Sequence, residues 1–233
     1  MANLADQLAA QLLQTKSLPV SSAWLHNFLS TLHRNDPLPT LIHTALFRLL
    51  ASDFRQSLTT QNPSSKLPVD IFDPNVQQRR LPGTIPVQVL DIEDIGSSLW
   101  SQVEAIERVE RGEAVRGREI VRTVNVGDEE PEGGNGSRTA DADEGSSGPH
   151  RLILQDAAGT RAVGIEMKKV HGIGINKMAI GAKMLLRNVT VARGMILLTP
   201  ESVTLLGGKI ESMDQAWRVG RKARLMEKLA AMG

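Results

Sequence analysis

The sequence predicts an α+β protein: an N-terminal three-helix bundle, a five-stranded OB-fold β-barrel with a long insertion after strand 1, and a C-terminal helix. Three observations carry this reading. Apolar side chains recur at helical spacing to about residue 58. From Leu81 onward, β-branched runs separated by turn residues take over. Between the first and second of these runs, from about Gly96 to His150, the β signal almost vanishes. A connection that long inside a compact domain is normally functional or disordered. The expected divisions are a helical bundle over 1–78, the barrel over 79–212 with its insertion at about 96–150, and a basic helix over 213–233.

The first helix rests on Leu4, Leu8 and Leu12, and Pro19 breaks it. Ser21 and Ser22 are candidate caps for a second helix carrying Trp24, Leu25, Phe28, Leu29 and Leu32, which Asp36-Pro-Leu-Pro39 ends. Thr40 is a candidate cap for a third, with Leu41, Ala45, Leu49 and Leu50 on one stripe, running to about Leu58. Thr59–Lys66 is polar and reads as a linker. Thr84–Ile95 is the first strand. Arg151–Asp156 and Arg161–Met167 form a hairpin across Ala157-Ala-Gly-Thr160. Val170–Ile180 fits either a short helix or an irregular connection. Lys183–Ala192 and Met195–Leu198 pair across Arg193-Gly194, and Val203–Leu206 extends the last strand beyond Pro200. Five strands with a linker between the third and fourth fit an OB-fold. A basic helix from Met213 has Ala216, Val219, Ala223, Met226 and Leu229–Ala230 at helical spacing.

Composition narrows the chemistry. Aromatic residues make up only 3% (Trp 3, Phe 4, Tyr 0), so a core built from 41% hydrophobic residues must be aliphatic. A net charge of +1 makes the whole chain no magnet for nucleic acid. With Cys 0, disulfides, thiolate metal sites and cysteine nucleophiles are excluded. No apolar run has the length of a membrane span, and the N-terminus has no secretory pattern, so an intracellular protein without membrane contact is expected.

The insertion has two halves. Trp100, Val103, Ile106 and Val109 recur every three residues among Glu104, Glu107, Arg108, Glu110 and Arg111: a short amphipathic helix, packed either on its own barrel or on a partner. Gly127–Gly148 sets seven acidic residues against Arg138 alone, with six glycines. That composition cannot bury enough apolar surface to order itself and reads as a surface spacer.

No catalytic constellation appears. There is no Walker-type loop, and His171-Gly-Ile-Gly-Ile-Asn-Lys177 fits an inter-strand connection better. His26, His33, His43, His150 and His171 have no metal-binding spacing. Alternation puts Asp91 and Glu93 on one face of a strand, where a solvated face is the simpler reading. An enzyme is not expected, nor any cofactor or metal. An OB-fold that binds single strands stacks bases on aromatic residues, yet the only aromatic between Thr84 and Gly208 is Trp100, in the insertion. The basic residues of the strands are scattered. On the last helix Arg218, Arg221, Lys222 and Arg224 lie close together as a possible phosphate contact; an ordinary solvated basic face is the alternative.

Several segments in succession resemble the N-terminal region of the RecQ-mediated genome instability protein 1 family, in a fungal form with a long acidic insertion. They are the helical part, Leu81-Pro-Gly-Thr-Ile-Pro-Val-Gln-Val-Leu-Asp-Ile92, Leu152-Ile-Leu-Gln-Asp156, Gly181-Ala-Lys-Met-Leu-Leu186 and Arg193-Gly-Met-Ile-Leu-Leu-Thr-Pro-Glu-Ser-Val-Thr-Leu-Leu-Gly-Gly208. The last is the most specific. The second OB-fold of animal relatives is not expected here. The resemblance implies a nuclear, non-catalytic subunit that binds topoisomerase III and works with a RecQ-family helicase in double Holliday junction dissolution and decatenation. It implies that the insertion reaches the topoisomerase gate, with Trp100, Val103, Ile106 and Val109 as its apolar anchors. It also implies a topoisomerase-facing surface at Lys183, extended by Met184 and Leu186. DNA contact would be weak or indirect. A free-standing OB-fold nucleic-acid-binding protein is the alternative.

Overall fold

The structure, a computed structural model, describes residues 2–31, 37–113 and 148–232. Leu32, His33 and the acidic stretch 127–147 lie outside the described residues.

Helix α1 (Ala2–Lys16) buries Leu8 and Leu12. Helix α2 (Ser22–Ser30) has Ser21 at its N-cap position and buries Leu25 and Phe28. Helix α3 (Leu38–Ala51) begins two residues before Thr40, with Pro39 in the first turn, where a missing N–H removes no helical bond. It also ends earlier than the expected Leu58. The side chain of Asp53 accepts from the Arg55 amide and starts a separate turn, α4 (Phe54–Ser57).

Six strands follow: β1 (Arg79–Asp94), β2 (His150–Asp156), β3 (Arg161–Glu166), β4 (Lys183–Ala192), β5 (Met195–Leu198) and β6 (Val203–Gly207). Their order is β1-β2-β3-β5-β4-β6, and a β1–β4 pairing closes the barrel. β3 and β5 run parallel; the other pairs are antiparallel. β5 lies against Thr190–Ala192 and β6 against Lys183–Leu186, so they are two halves of a fifth strand along β4. β1 starts earlier than Thr84 because Arg79–Leu81 already pair with Val189–Val191. Pro82 and Gly83 occupy the register shift that follows, where a missing donor breaks no ladder bond. Val170–Ile180 forms turns without a regular element, yet buries Val170, Ile173, Ile175, Met178 and Ile180.

The barrel core is aliphatic, as composition requires; its one aromatic member, Trp217, comes from helix α6 (Glu211–Ala230). A second cluster fills the helical bundle and takes in Leu185 and Ala157 from the barrel, so the two cores share a seam. The insertion opens with helix α5 (Leu99–Glu110), which packs on α6.

Candidate partner-docking site

The first turn of the insertion is fixed by Asp94. Its Oδ1 accepts from the amides of Gly96 (2.8 Å) and Ser97 (3.1 Å). Gln102 Nε2 donates to the carbonyls of Asp94 (3.0 Å) and Ser97 (3.1 Å), and Ser98 Oγ caps α5 by accepting from the Ser101 amide. These bonds set the angle at which α5 leaves the barrel. Where the insertion returns, buried His150 and Glu166 meet at 2.7 Å, and Glu166 also accepts from the Val170 amide.

α5 then lies against α6. Val103 is buried, Ile106 half-buried, Val109 at the rim, and Trp100 is 69% exposed. The stripe predicted from spacing therefore splits: Val103 anchors the helix to its own chain, and Trp100 is presented outward. Trp100 and Val103 form one wall of an open groove; Met226 and Leu229 form the other, with Glu104, Glu107 and Arg111 at the rim.

The basic helix is not the free cationic face that spacing allowed. Arg218 pairs with Asp214 at 2.8 Å, and Lys222 with Glu107 (3.2 Å) and Glu110 (2.6 Å). Arg221 reaches Gln102 and lies over the Trp217 ring; Arg224 donates to the Trp217 carbonyl and lies over the same ring. Lys228 pairs with Glu93. Arg218, Arg221, Lys222 and Arg224, the candidate phosphate contacts, thus all have partners within the chain. The physical reason is the insertion itself, which brings carboxylates within reach of Lys222. Hydrogen bonding to Glu110 raises the Lys222 ammonium above its ordinary value. The Asp91–Glu93 face is not simply solvated either. Trp217 Nε1 donates to Asp91 at 2.6 Å, and Glu93 pairs with Arg151 at 3.0 Å. Burial works to raise the Glu93 carboxyl, but Lys228 and Arg151 hold it below the usual range. Of the apolar positions noted on α6, Val219 is 79% exposed, whereas Met226, 52% exposed, and half-buried Leu229 line the groove.

Lys183, Met184 and Leu186 require a second correction. All three are 0% exposed. Met184 and Leu186 point into the barrel core. Lys183 lies in the seam between barrel and bundle, where its Nζ donates to the Gly181 carbonyl (2.7 Å) and Gln88 Oε1 (3.2 Å) and sits 4.9 Å from the centroid of the Phe54 ring. Gln88 Nε2 donates to Asp53 Oδ1 (2.9 Å), and Gln88 Oε1 also accepts from the Phe54 amide (3.0 Å). Burial pushes the Lys183 ammonium down to about 8, with nearby Asp53 opposing the shift. A lysine followed by three aliphatic residues read as an exposed edge because the sequence does not reveal that α4 covers this strand.

One surface escaped the sequence reading. The outer faces of β2, β3 and β5 carry Ile153, Val163, Ile165, Met195 and Leu197, all partly exposed and brought into rows by the pairings Ile153–Val163, Val163–Met195 and Ile165–Leu197. The signal was in Arg161-Ala-Val-Gly-Ile-Glu166, where small residues alternate with large apolar ones. Ala162 and Gly164 point inward because the barrel leaves no room: a Cβ on Gly164 would lie 2.9 Å from Leu198 Cδ1. The large residues are therefore outside. This face is aliphatic, with no aromatic ring on which a base could stack.

The chain matches the family described as "RMI1, N-terminal OB-fold domain" over residues 67–221 and the one described as "RMI1, N-terminal helical domain" over residues 12–57. It is similar to RecQ-mediated genome instability protein 1 of Schizosaccharomyces pombe, with 31% identity over 207 residues, covering 84% of each chain.

Proposed function

The chain belongs to the RecQ-mediated genome instability protein 1 family, and from that premise we propose that it is a nuclear, non-catalytic subunit that binds topoisomerase III and biases its gate through the insertion. The relative's name places that protein in the RecQ pathway, and a RecQ-family helicase is the second partner we assign to this chain. The observation that carries the reading is Trp100: a large aromatic side chain, 69% exposed, on a helix braced by ion pairs, at the mouth of an open apolar groove. Tryptophan is a favoured interface anchor, and bracing the helix beforehand lowers the ordering cost of binding. The aliphatic outer face of β2, β3 and β5 supports a protein partner over a nucleic acid as the main ligand of the barrel.

The mechanism is physical. A type IA topoisomerase cuts one strand and opens a gate; a segment that binds the open and closed forms unequally shifts their balance by that difference. A difference of about 1.4 kcal/mol shifts it tenfold. Such a shift would assist decatenation and, with the helicase, dissolution of double Holliday junctions. The test is decatenation by topoisomerase III at saturating concentrations of this protein. Trp100→Ala with Ile106→Ala is expected to lose most of the stimulation while still co-purifying with the topoisomerase. Full stimulation by that variant would remove the gate role, and failure of the wild-type chain to co-purify would remove the partner.

A further inference from the structure

We propose that Gln102 is the positioning residue of the insertion: its side-chain amide sets the direction in which α5 presents Trp100. The functional part of the proposal rests on the reading of Trp100 as a gate contact; the geometry behind it concerns the free chain alone.

Gln102 is 8% exposed, a polar side chain on the buried face of α5 beside Val103. Burying an amide costs stability unless its polar atoms find partners. Here they find them on three separate segments. Nε2 donates to the carbonyl of Asp94, at the end of β1, and to that of Ser97, in the turn, while Oε1 accepts from Arg221 Nη2 on α6 at 3.4 Å. The two ends of the amide cannot be exchanged: turned over, it would set an acceptor against two carbonyls and a donor against a guanidinium. A carboxylate has no proton for the carbonyls, and an ammonium has no lone pair for the arginine. The joint is closed by a second path. Arg221 lies over the Trp217 ring, and Trp217 Nε1 donates to Asp91 of β1. β1, α6 and α5 thus form a ring of contacts in which Gln102 is the polar link to α5.

The other contacts of α5 hold it without aiming it. Val103 contributes apolar burial, which has no directional preference. The ion pairs of Lys222 with Glu107 and Glu110 lie toward the far end of the helix and are partly exposed, where salt screens them. Hydrogen bonds are directional, and the three made by Gln102 lie near the helix start. A helix turns once in 3.6 residues, so a side chain two positions earlier projects about 160° away. Seating Gln102 against the end of β1 therefore turns Trp100 away from the barrel, which accounts for its 69% exposure.

The test uses spin labels in the free chain. The sequence has no cysteine, so Ala105→Cys, on the exposed side of α5, and Arg161→Cys, at the exposed start of β3, give a unique labelled pair. Gln102→Glu keeps the shape of the side chain but removes both donors and puts a carboxylate against two carbonyls. At neutral pH the parent should give one narrow distance distribution and Gln102→Glu a displaced or broadened one. Acidification gives the introduced carboxyl a proton to donate and should restore the parent distribution. The charged groups around the joint are Asp91 and Asp94 on β1, Arg221 and Lys222 on α6, and Glu107 and Glu110 on α5, so the parent is measured over the same pH range. Val103→Ala, which loses packing alone, should keep the parent distance. An unchanged distribution in Gln102→Glu, no restoration in acid, or equal broadening in Val103→Ala overturns the proposal. So does loss of hydrogen-exchange protection across α5 in Gln102→Glu, since the residue would then hold the helix together and not aim it. In decatenation by topoisomerase III, Gln102→Glu is expected to lose as much stimulation as Trp100→Ala and still co-purify. Full stimulation by Gln102→Glu where Trp100→Ala fails overturns the positioning role. Full stimulation by both removes the gate reading, and the distance measurement then decides the role of Gln102 by itself.

Discussion

Replacing Lys183 by methionine should change how stability depends on pH. Methionine keeps most of the buried stem and removes the titrating group. In the folded protein burial brings the Lys183 ammonium down to about 8, against an ordinary value of 10.5. Below both values the lysine is charged in folded and unfolded chains, and its burial counts fully against folding. As pH rises past about 8 the folded state releases the proton first. The unfolded state then binds more protons, and stability rises until the unfolded lysine also titrates. The full difference is roughly 3 kcal/mol, at about 1.4 kcal/mol for each pH unit between the two values. The assay is urea unfolding of the wild type and Lys183→Met at intervals from neutral pH to above 10. The wild type should gain about 1–3 kcal/mol more than the variant across the window. Parallel stability curves would refute the burial argument and return Lys183 to the surface. Near neutrality the substitution has opposing effects: it leaves the Gly181 carbonyl unpaired and relieves the buried charge. Any loss of partner binding in a Lys183 variant would then act through the seam with α4.

Three further outcomes are expected. Trp100→Ala alone should move the unfolding free energy by less than about 0.5 kcal/mol, because the side chain is exposed, whereas Val103→Ala should cost about 1–2 kcal/mol; equal costs in denaturant titrations would mean that the stripe was divided wrongly. Gly208→Ala should destabilise by about 2 kcal/mol or more. Its φ is +81°, and the new Cβ would lie 2.4 Å from the Leu50 carbonyl oxygen, so an unchanged thermal midpoint would deny the close approach of bundle and barrel. Glu93 and Asp214 both have carboxyls held below the ordinary range, so their stabilisation is present above the unfolded values and lost as pH falls through the lower folded ones. Glu93→Gln should flatten part of the acid limb of the stability curve, and an unaltered limb would deny the Lys228–Glu93–Arg151 row any role in stability.

The sequence by itself determined the elements and their class. Helical periodicity, β-branched runs and turn residues are local signals, and they placed the bundle, the hairpin, the Arg193-Gly194 turn and the two halves of the fifth strand. The break at Ser52–Asp53 was less legible, because a capping carboxylate two residues before Arg55 competes with an apolar stripe that continues past it. Spacing also identified α5 and its stripe, but could not say that Val103 turns inward and Trp100 outward. That division depends on α6, more than a hundred residues later. The same long-range packing decided the fate of the charges: Lys222 is opposed by Glu107 and Glu110, and Trp217 bonds Asp91. Lys183 looked like an exposed strand residue until α4 covered it. Burial, pairing and exposure are properties of which elements meet, and one-dimensional patterns carry only the periodicity within each. Tertiary structure alone decided which side of a strand or helix was left for a partner, because that choice is made by the shape of the other elements and the free space they leave.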